Sequence, residues 1–131
     1  MDFKQHLEQR LITFSVFVID VINCLPHNQV GNHLGGQLLR SGTSPALNCG
    51  KALGASSNKD FAQNLGVILK ELRESHNCLR ILSRINYITR NDPALLECND
   101  LISIFVKRIK ASKKNSNSAI RYKLQLVANA R

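Results

Sequence analysis

Residues 61–85, FAQNLGVILKELRESHNCLRILSRI, decide the fold of this chain. Apolar side chains recur along them every three or four positions, the spacing that places side chains on one face of an α-helix. The stripe consists of Phe61, Leu65, Ile68, Leu72, Leu79, Leu82 and Ile85, with Ser75 in the same register. Because the mean spacing is near 3.5 residues, the pattern predicts a helix over about residues 58–88 that packs in a left-handed bundle.

Two more helices are predicted towards the two ends of the chain, over about residues 2–25 and 93–114. The first ends before Pro26 and is apolar nearly all round, which predicts that neighbouring helices or another subunit cover more than one of its sides. The other begins at Asp92 and Pro93, a common pair of residues at a helix start.

A further helix over about residues 32–54 is rich in small residues, which allow close approach of a neighbouring helix. Asn32 is its predicted N-cap. Pro45 lies inside the pattern and removes a backbone donor, so we expect a kink there, or alternatively a break into two helices.

The composition supports a small number of long elements. The chain has 131 residues, of which 7 are Gly and 3 are Pro. So few turn-forming residues argue against sandwiches and barrels, which need a turn roughly every ten residues. The sequence predicts an all-α, antiparallel up-down four-helix bundle over residues 1–114, kinked at Pro45. Residues 115–131 are predicted to form a flexible basic C-terminal tail, with a short strand or a docked extension as alternatives.

The positive charge is concentrated at the C-terminal end. The chain has 18 Lys and Arg against 9 Asp and Glu, a net charge of +9. Residues 107–131 contain eight of the bases and no acid, which favours contact with a polyanion, first nucleic acid and then an anionic membrane surface. A solvated tail is the alternative. The predicted phosphate contacts are Lys107, Arg108, Lys110, Lys113, Lys114, Arg121 and Lys123.

The sequence shows no catalytic or metal-binding motif. The phosphate-binding glycine patterns, the nucleophile elbow and the paired-histidine zinc motif are all absent. The cysteines Cys24, Cys49, Cys78 and Cys98 are widely spaced, which favours small apolar residues in a reducing cytosol over a metal site. We therefore expect a cytoplasmic protein without cofactor, metal or membrane span.

Glu71 and Glu74 form a candidate pair of carboxylates. They are three residues apart and can share a helix face, as acid–base or metal-binding carboxylates do. Since Lys70, Arg73 and Arg80 are close in sequence, surface ion pairs are the preferred interpretation. An enzyme that works through the two carboxylates is the less favoured alternative.

Three short segments resemble the "four helix bundle protein" family. They are residues 37–48 (QLLRSGTSPALN), 59–61 (KDF) and 69–75 (LKELRES). This family includes proteins encoded by intervening sequences in bacterial 23S rRNA genes and the accessory variability protein of diversity-generating retroelements. The positions that match the family pattern are Arg40, Ser44, Asn48, Asp60, Phe61, Lys70, Glu71 and Glu74.

The resemblance covers about residues 5–112 and implies an up-down bundle that assembles as a ring, typically a homopentamer, with a basic surface. Arg40 is one base in an otherwise small, neutral helix, so the residues themselves predict a pair with Glu71 or Glu74, within the chain or across subunits. Polar contacts between helices are the preferred interpretation of this set, and a functional surface is the alternative. Lys51 stands where the family usually has Glu, so it either adds to a nucleic-acid surface or removes an ion pair between subunits.

The predicted function is a non-enzymatic, oligomeric protein that binds RNA or DNA through charge and shape, without reading base sequence. Its predicted partners are further copies of the chain and a nucleic acid. The alternative is a scaffold that docks a nucleic-acid enzyme, such as the reverse transcriptase that partners the retroelement members of the family.

Overall fold

The chain folds into four α-helices that form a bundle. The computed structural model describes residues 3–54 and 58–130. The helices are α1 (Phe3–Cys24), α2 (Gln29–Leu53), α3 (Asn58–Arg84) and α4 (Pro93–Asn129). No strand occurs within the described ranges. The predicted all-α class and four-helix bundle are confirmed.

Each helix packs against the next one in the chain, and α1 also contacts α4, which closes the bundle. The start of α1 lies beside the middle of α4, because the Arg108 guanidinium stands 4.1 Å from the centroid of the Phe3 ring. Further along α1, Arg10 pairs with Glu97 at 2.8 Å. The two helices therefore run antiparallel.

The core consists of the apolar stripes that the sequence spacing predicted. Phe14 and Phe105 are fully buried, together with leucines from all four helices. Ser75 is the polar residue among the core-facing positions of α3. Its hydroxyl has a hydrogen-bond partner, because it donates to the Ser41 hydroxyl of α2 at 2.8 Å. This buried bond joins two helices without leaving an unpaired polar group, which would be costly in the core.

The predicted start of α2 at Asn32 is wrong, because α2 begins at Gln29 with Asn28 as its N-cap. The Asn28 side chain accepts a hydrogen bond from the Gly31 amide at 2.8 Å. A Cβ at Gly31 would lie only 2.1 Å from the Pro26 carbonyl oxygen, so glycine is needed for this tight entry. The polar turn after Pro26 is therefore shorter than the sequence pattern indicated.

α2 is continuous through Pro45, so the alternative of two separate helices is wrong. The hydroxyls of the preceding turn donate to backbone carbonyls four residues back: Thr43 to Leu39 at 2.6 Å and Ser44 to Arg40 at 2.7 Å. Such bonds supply local donors next to the position where proline has no N–H. The kink itself stays a prediction.

α3 ends at Arg84, four residues before the predicted end. Asn86 adopts a left-handed backbone with φ of 64°. The Tyr87 amide donates to the Leu82 carbonyl at 2.9 Å, and the Asn86 amide donates to the Ser83 carbonyl at 3.1 Å. This is a Schellman ending, in which asparagine takes the place usually held by glycine. At the start of α4 the prediction is confirmed, since Asp92 caps the helix and Pro93 is its first residue.

α4 continues well beyond the predicted end near Lys114. It runs to Asn129, so the polar segment at residues 115–118 is helical. The alternative of a short strand for the C-terminal residues is wrong for the same reason. Ser112 is the last buried residue of α4, and every described side chain after it is exposed. None of the helices in the described ranges is long and apolar enough to cross a membrane.

Three of the four cysteines belong to the core. Cys49, Cys78 and Cys98 are buried, whereas Cys24 is exposed at the end of α1. Burial raises the pKa of Cys49 to about 11 and that of Cys98 to about 12, and it also raises the pKa of Cys78. Because the thiolate is the reactive form, these three thiols should be inert in the folded protein.

We expect an aromatic disulfide reagent at about pH 8 to modify one thiol per folded chain quickly. All four should react after denaturation, because unfolding removes the burial that raises their pKa values. Replacing Cys24 with Ser should abolish the fast phase and leave the other three unchanged. Rapid modification of two or more thiols in the native protein would contradict the burial described above.

Candidate nucleic-acid interface

Four of the seven C-terminal bases predicted to contact phosphate lie on one line along the outer face of α4. We call Lys107, Lys110, Lys114 and Arg121 the α4 stripe. Their spacings of three, four and seven residues place them on the same face of a helix. All four are exposed, and the buried residues of α4 lie on the opposite side. The helical continuation of α4 is what brings Arg121 into line with the other three.

The remaining predicted bases point elsewhere. Arg108 lies on the side of α4 that faces α1, where its guanidinium stacks over Phe3 as a cation–π contact. Lys113 lines a cavity of about 670 Å³ between α3 and α4. Lys123 is exposed on the side that continues the buried face of α4. The side chain of Lys51 lies outside the described residues.

A second set of bases, on α3, was missed by the sequence analysis. We call Lys59, Lys70, Arg73, Arg80 and Arg84 the α3 stripe. Their positions share one face of α3, opposite the leucines that face the core. All five are exposed, and none forms a salt bridge with a described carboxylate. Their helical spacing was visible in the sequence, but three of them, Lys70, Arg73 and Arg80, were interpreted as ion-pair partners of Glu71 and Glu74.

Glu71 and Glu74 instead share one cation from α2. The Arg40 guanidinium contacts Glu71 through Nη1 at 3.1 Å and Glu74 through Nη2. The expected pairing of Arg40 within the chain is therefore observed, whereas pairing with Lys70, Arg73 and Arg80 is not. The hydrogen bond and charge of Glu74, with a smaller contribution from Glu71, raise the pKa of Arg40 above its usual value. A pair of carboxylates held by a cation is poorly suited to accept a proton.

The structure also places four other positions of the family pattern. Ser44 donates to the Arg40 carbonyl, and Asp60 lies in the first turn of α3, where a negative charge favours the helix dipole. Phe61 is half-buried against the core, and Asn48 is exposed. Among the described residues, no three His, Cys, Asp or Glu side chains are grouped as a metal site.

The two stripes lie on neighbouring helices, and we call them together the basic face. Lys59 of the α3 stripe and Lys113, a base outside the α4 stripe, line the same cavity, so the start of α3 lies beside the segment of α4 that carries the α4 stripe. The other bases of the α3 stripe lie further along the bundle, because the Cys98 thiol of α4 donates to the Leu72 carbonyl of α3. Burial, with smaller contributions from the charges of Arg80 and Arg73, lowers the pKa of the neighbouring His76. The last acid of the chain, Asp100, precedes the α4 stripe by two helical turns.

The chain matches the family model described as 23S rRNA-intervening sequence protein over residues 4–107. It is also similar to a crystal structure from Bacteroides thetaiotaomicron, described as a protein with unknown function from the S23 ribosomal protein family. The TM-score is 0.71 at 29% identity, over 79% of this chain and 98% of that one. A search of curated proteins finds no match. Most of the α4 stripe lies beyond the matched residues.

Proposed function

The chain belongs to the 23S rRNA-intervening sequence protein family, and from this premise we propose that it is a non-enzymatic, oligomeric protein that binds nucleic acid through its basic face. The observation that carries the proposal is the absence of any salt bridge between the α3 and α4 stripes and a described carboxylate. Exposed bases that pair with none of the described carboxylates, aligned on neighbouring helices, offer a polyanion several contacts at once.

The contacts would be made to phosphates rather than to base edges. Lys and Arg side chains on a straight helix follow a charged backbone but carry no sequence information by themselves. Tyr122 is exposed next to Arg121 but lies about 100° further round α4, so the α4 stripe is not accompanied by a row of aromatic rings on which successive bases could stack. Binding should therefore depend steeply on salt and weakly on sequence.

Self-association would increase the number of these contacts. Ile12, Val16 and Ile19 form an exposed apolar line along α1, with 42%, 50% and 41% of their surfaces exposed. Such a line is the kind of surface that another subunit covers. In the homopentameric ring that the family resemblance implies, five basic faces would bind one nucleic acid with increased avidity.

The proposal is tested by titrating the full-length protein with single- and double-stranded RNA and DNA at several salt concentrations. The expected result is that the logarithm of the affinity falls linearly with the logarithm of the salt concentration, with a slope of magnitude about 4 or more on duplex DNA. Similar affinities for unrelated sequences should accompany it. Absence of binding at about 100 mM salt would overturn the proposal and favour a scaffold for a nucleic-acid enzyme.

A further inference from the structure

The last part of α4 extends beyond the described start of α3, although its first turn, at Lys113 and Asn117, still lines a cavity with residues of α3. We call residues 113–130 the arm. Every described side chain in the arm is exposed. The arm also lies beyond residues 4–107, which the family model matches, so its role does not follow from membership of the family.

One side of the arm is apolar, and a second exposed apolar pair, Tyr122 and Leu126, lies on another side. Ile120, Leu124 and Val127 repeat at four and three residues and form an apolar line, with 53%, 65% and 58% of their surfaces exposed. This line continues the side of α4 that packs on α3, past the point where α3 begins. Lys114 and Arg121, which belong to the α4 stripe, lie on a different side. An apolar line of this kind in water is a docking surface.

The arm of one chain cannot reach α1 of the same chain. The two helices are antiparallel, and Arg108 meets Phe3. From that point Leu124 lies about 24 Å along α4 in one direction, whereas Val16 lies about 20 Å along α1 in the other. Any contact between these two positions must therefore join different copies.

The outer face of α1 matches the arm in spacing and in charge. Its apolar line, Ile12, Val16 and Ile19, has the same four-and-three spacing as the line on the arm. The charged residues that flank it are Glu8 and Asp20, and neither forms a salt bridge with a described base. Lys113 and Lys123 lie beside the line on the arm. With Leu124 level with Val16 in a parallel alignment, they lie three residues from the level of Glu8 and five from that of Asp20, or about 4.5 Å and 7.5 Å along the helix.

We propose that the arm docks on the outer face of α1 of a second copy of the chain, with Ile120, Leu124 and Val127 against Ile12, Val16 and Ile19. The charges favour this occupant over a second arm, because residues 101–131 contain no acid and two arms side by side would repel. Lys113 and Lys123 then serve a subunit contact, and the α4 stripe stays free. The inference rests on the oligomer in the proposed function but not on nucleic-acid binding.

Disulfide trapping tests the contact in the full-length chain. Cys24 is first replaced by Ser, and Val16→Cys and Leu124→Cys are introduced together. Mild oxidation should yield dimers and larger linked species on a non-reducing gel. The matched control combines Val16→Cys with Gln125→Cys, because Gln125 is exposed but lies about 100° further round the helix.

The outcomes separate the possible occupants. Linked species from the 16/124 pair but not from the 16/125 pair would support docking on α1. Equal linking by Leu124→Cys alone would mean that two arms pair, and no linking above the control would mean that another partner or none covers the arm. Either of these results overturns the proposal.

A second measurement does not depend on oxidation. Leu124→Asp should shift the protein to smaller species in sedimentation velocity, whereas Gln125→Asp, with the same change of charge, should not. An unchanged size distribution for Leu124→Asp would also overturn the proposal. Linking by the 16/124 pair in a protein that fails to bind nucleic acid would uphold the arm contact while the proposed function fails.

Discussion

Replacing Lys107, Lys110, Lys114 and Arg121 with Gln should weaken nucleic-acid binding on the order of a hundredfold or more at about 100 mM salt. These four bases form the α4 stripe, and each phosphate that is no longer neutralised reduces the slope of log affinity against log salt by about 0.9 on duplex DNA. The slope should therefore fall in magnitude by about 3 to 4. The measurement is a fluorescence-anisotropy titration at four or more salt concentrations. Unfolding should be little affected, because all four side chains are exposed.

A matched pair of double variants separates position from net charge. The first double variant combines Lys107→Gln with Lys110→Gln, and the second combines Lys4→Gln with Arg90→Gln. Each removes two positive charges from exposed positions. Lys4 and Arg90 lie outside the two basic stripes. The first pair should reduce the slope by nearly 2, and the second should leave it almost unchanged. Equal effects would show that total charge, and not the basic face, controls binding.

The four-helix architecture was predictable because helical spacing and end signals agreed. The core-facing leucines of α3 and the start of α4 at Asp92 and Pro93 are both found where the sequence placed them. The start of α2 was not found where the sequence placed it. Asn28 and Asn32 are both acceptable N-caps, and the choice between them depends on the path of the chain after Pro26. Contacts across the turn decide that choice, and they are not encoded in local propensity.

The end of α4 was missed for a different reason. The segment from Asn115 to Ser118 is polar and has weak helix propensity, which suggested that the helix stops before it. The following residues alternate in hydropathy, which suggested a strand. The same residues also carry Ile120, Leu124 and Val127 at helical spacing, and this weaker signal corresponds to the structure.

The candidate site was only partly predictable because charge pairing is a three-dimensional property. Sequence proximity suggested that the α3 bases neutralise Glu71 and Glu74. The fold brings Arg40 from α2 to both carboxylates, which leaves Arg73 and Arg80 without these partners. A cation from a neighbouring helix therefore contacts these carboxylates in place of the α3 bases, which form no salt bridge with a described carboxylate.

Replacing Gly42 with Val should destabilise the bundle by about 3 kcal/mol, which lowers the melting temperature by roughly 10 °C for a domain of this size. Gly42 lies where α2 crosses α1, and a Cβ there would stand 2.7 Å from Cγ2 of Val18 and 2.8 Å from its Cγ1. The Ser15 hydroxyl donates to the Gly42 carbonyl at 3.1 Å, which holds the two backbones close. Val18 is fully buried and cannot move aside into solvent.

The matched control is Gly36→Val in the same helix, where an added Cβ meets no atom within 4 Å. It should change the free energy of unfolding by less than about 0.5 kcal/mol, because the site is exposed and valine is an acceptable helix residue. Adding Val18→Ala to Gly42→Val removes the two methyl groups that clash, so the double variant should be more stable than the sum of the two single changes predicts. Equal melting temperatures for Gly42→Val and Gly36→Val, measured by circular dichroism, would contradict this packing. Gly42 would then have no role in bringing α1 close to α2.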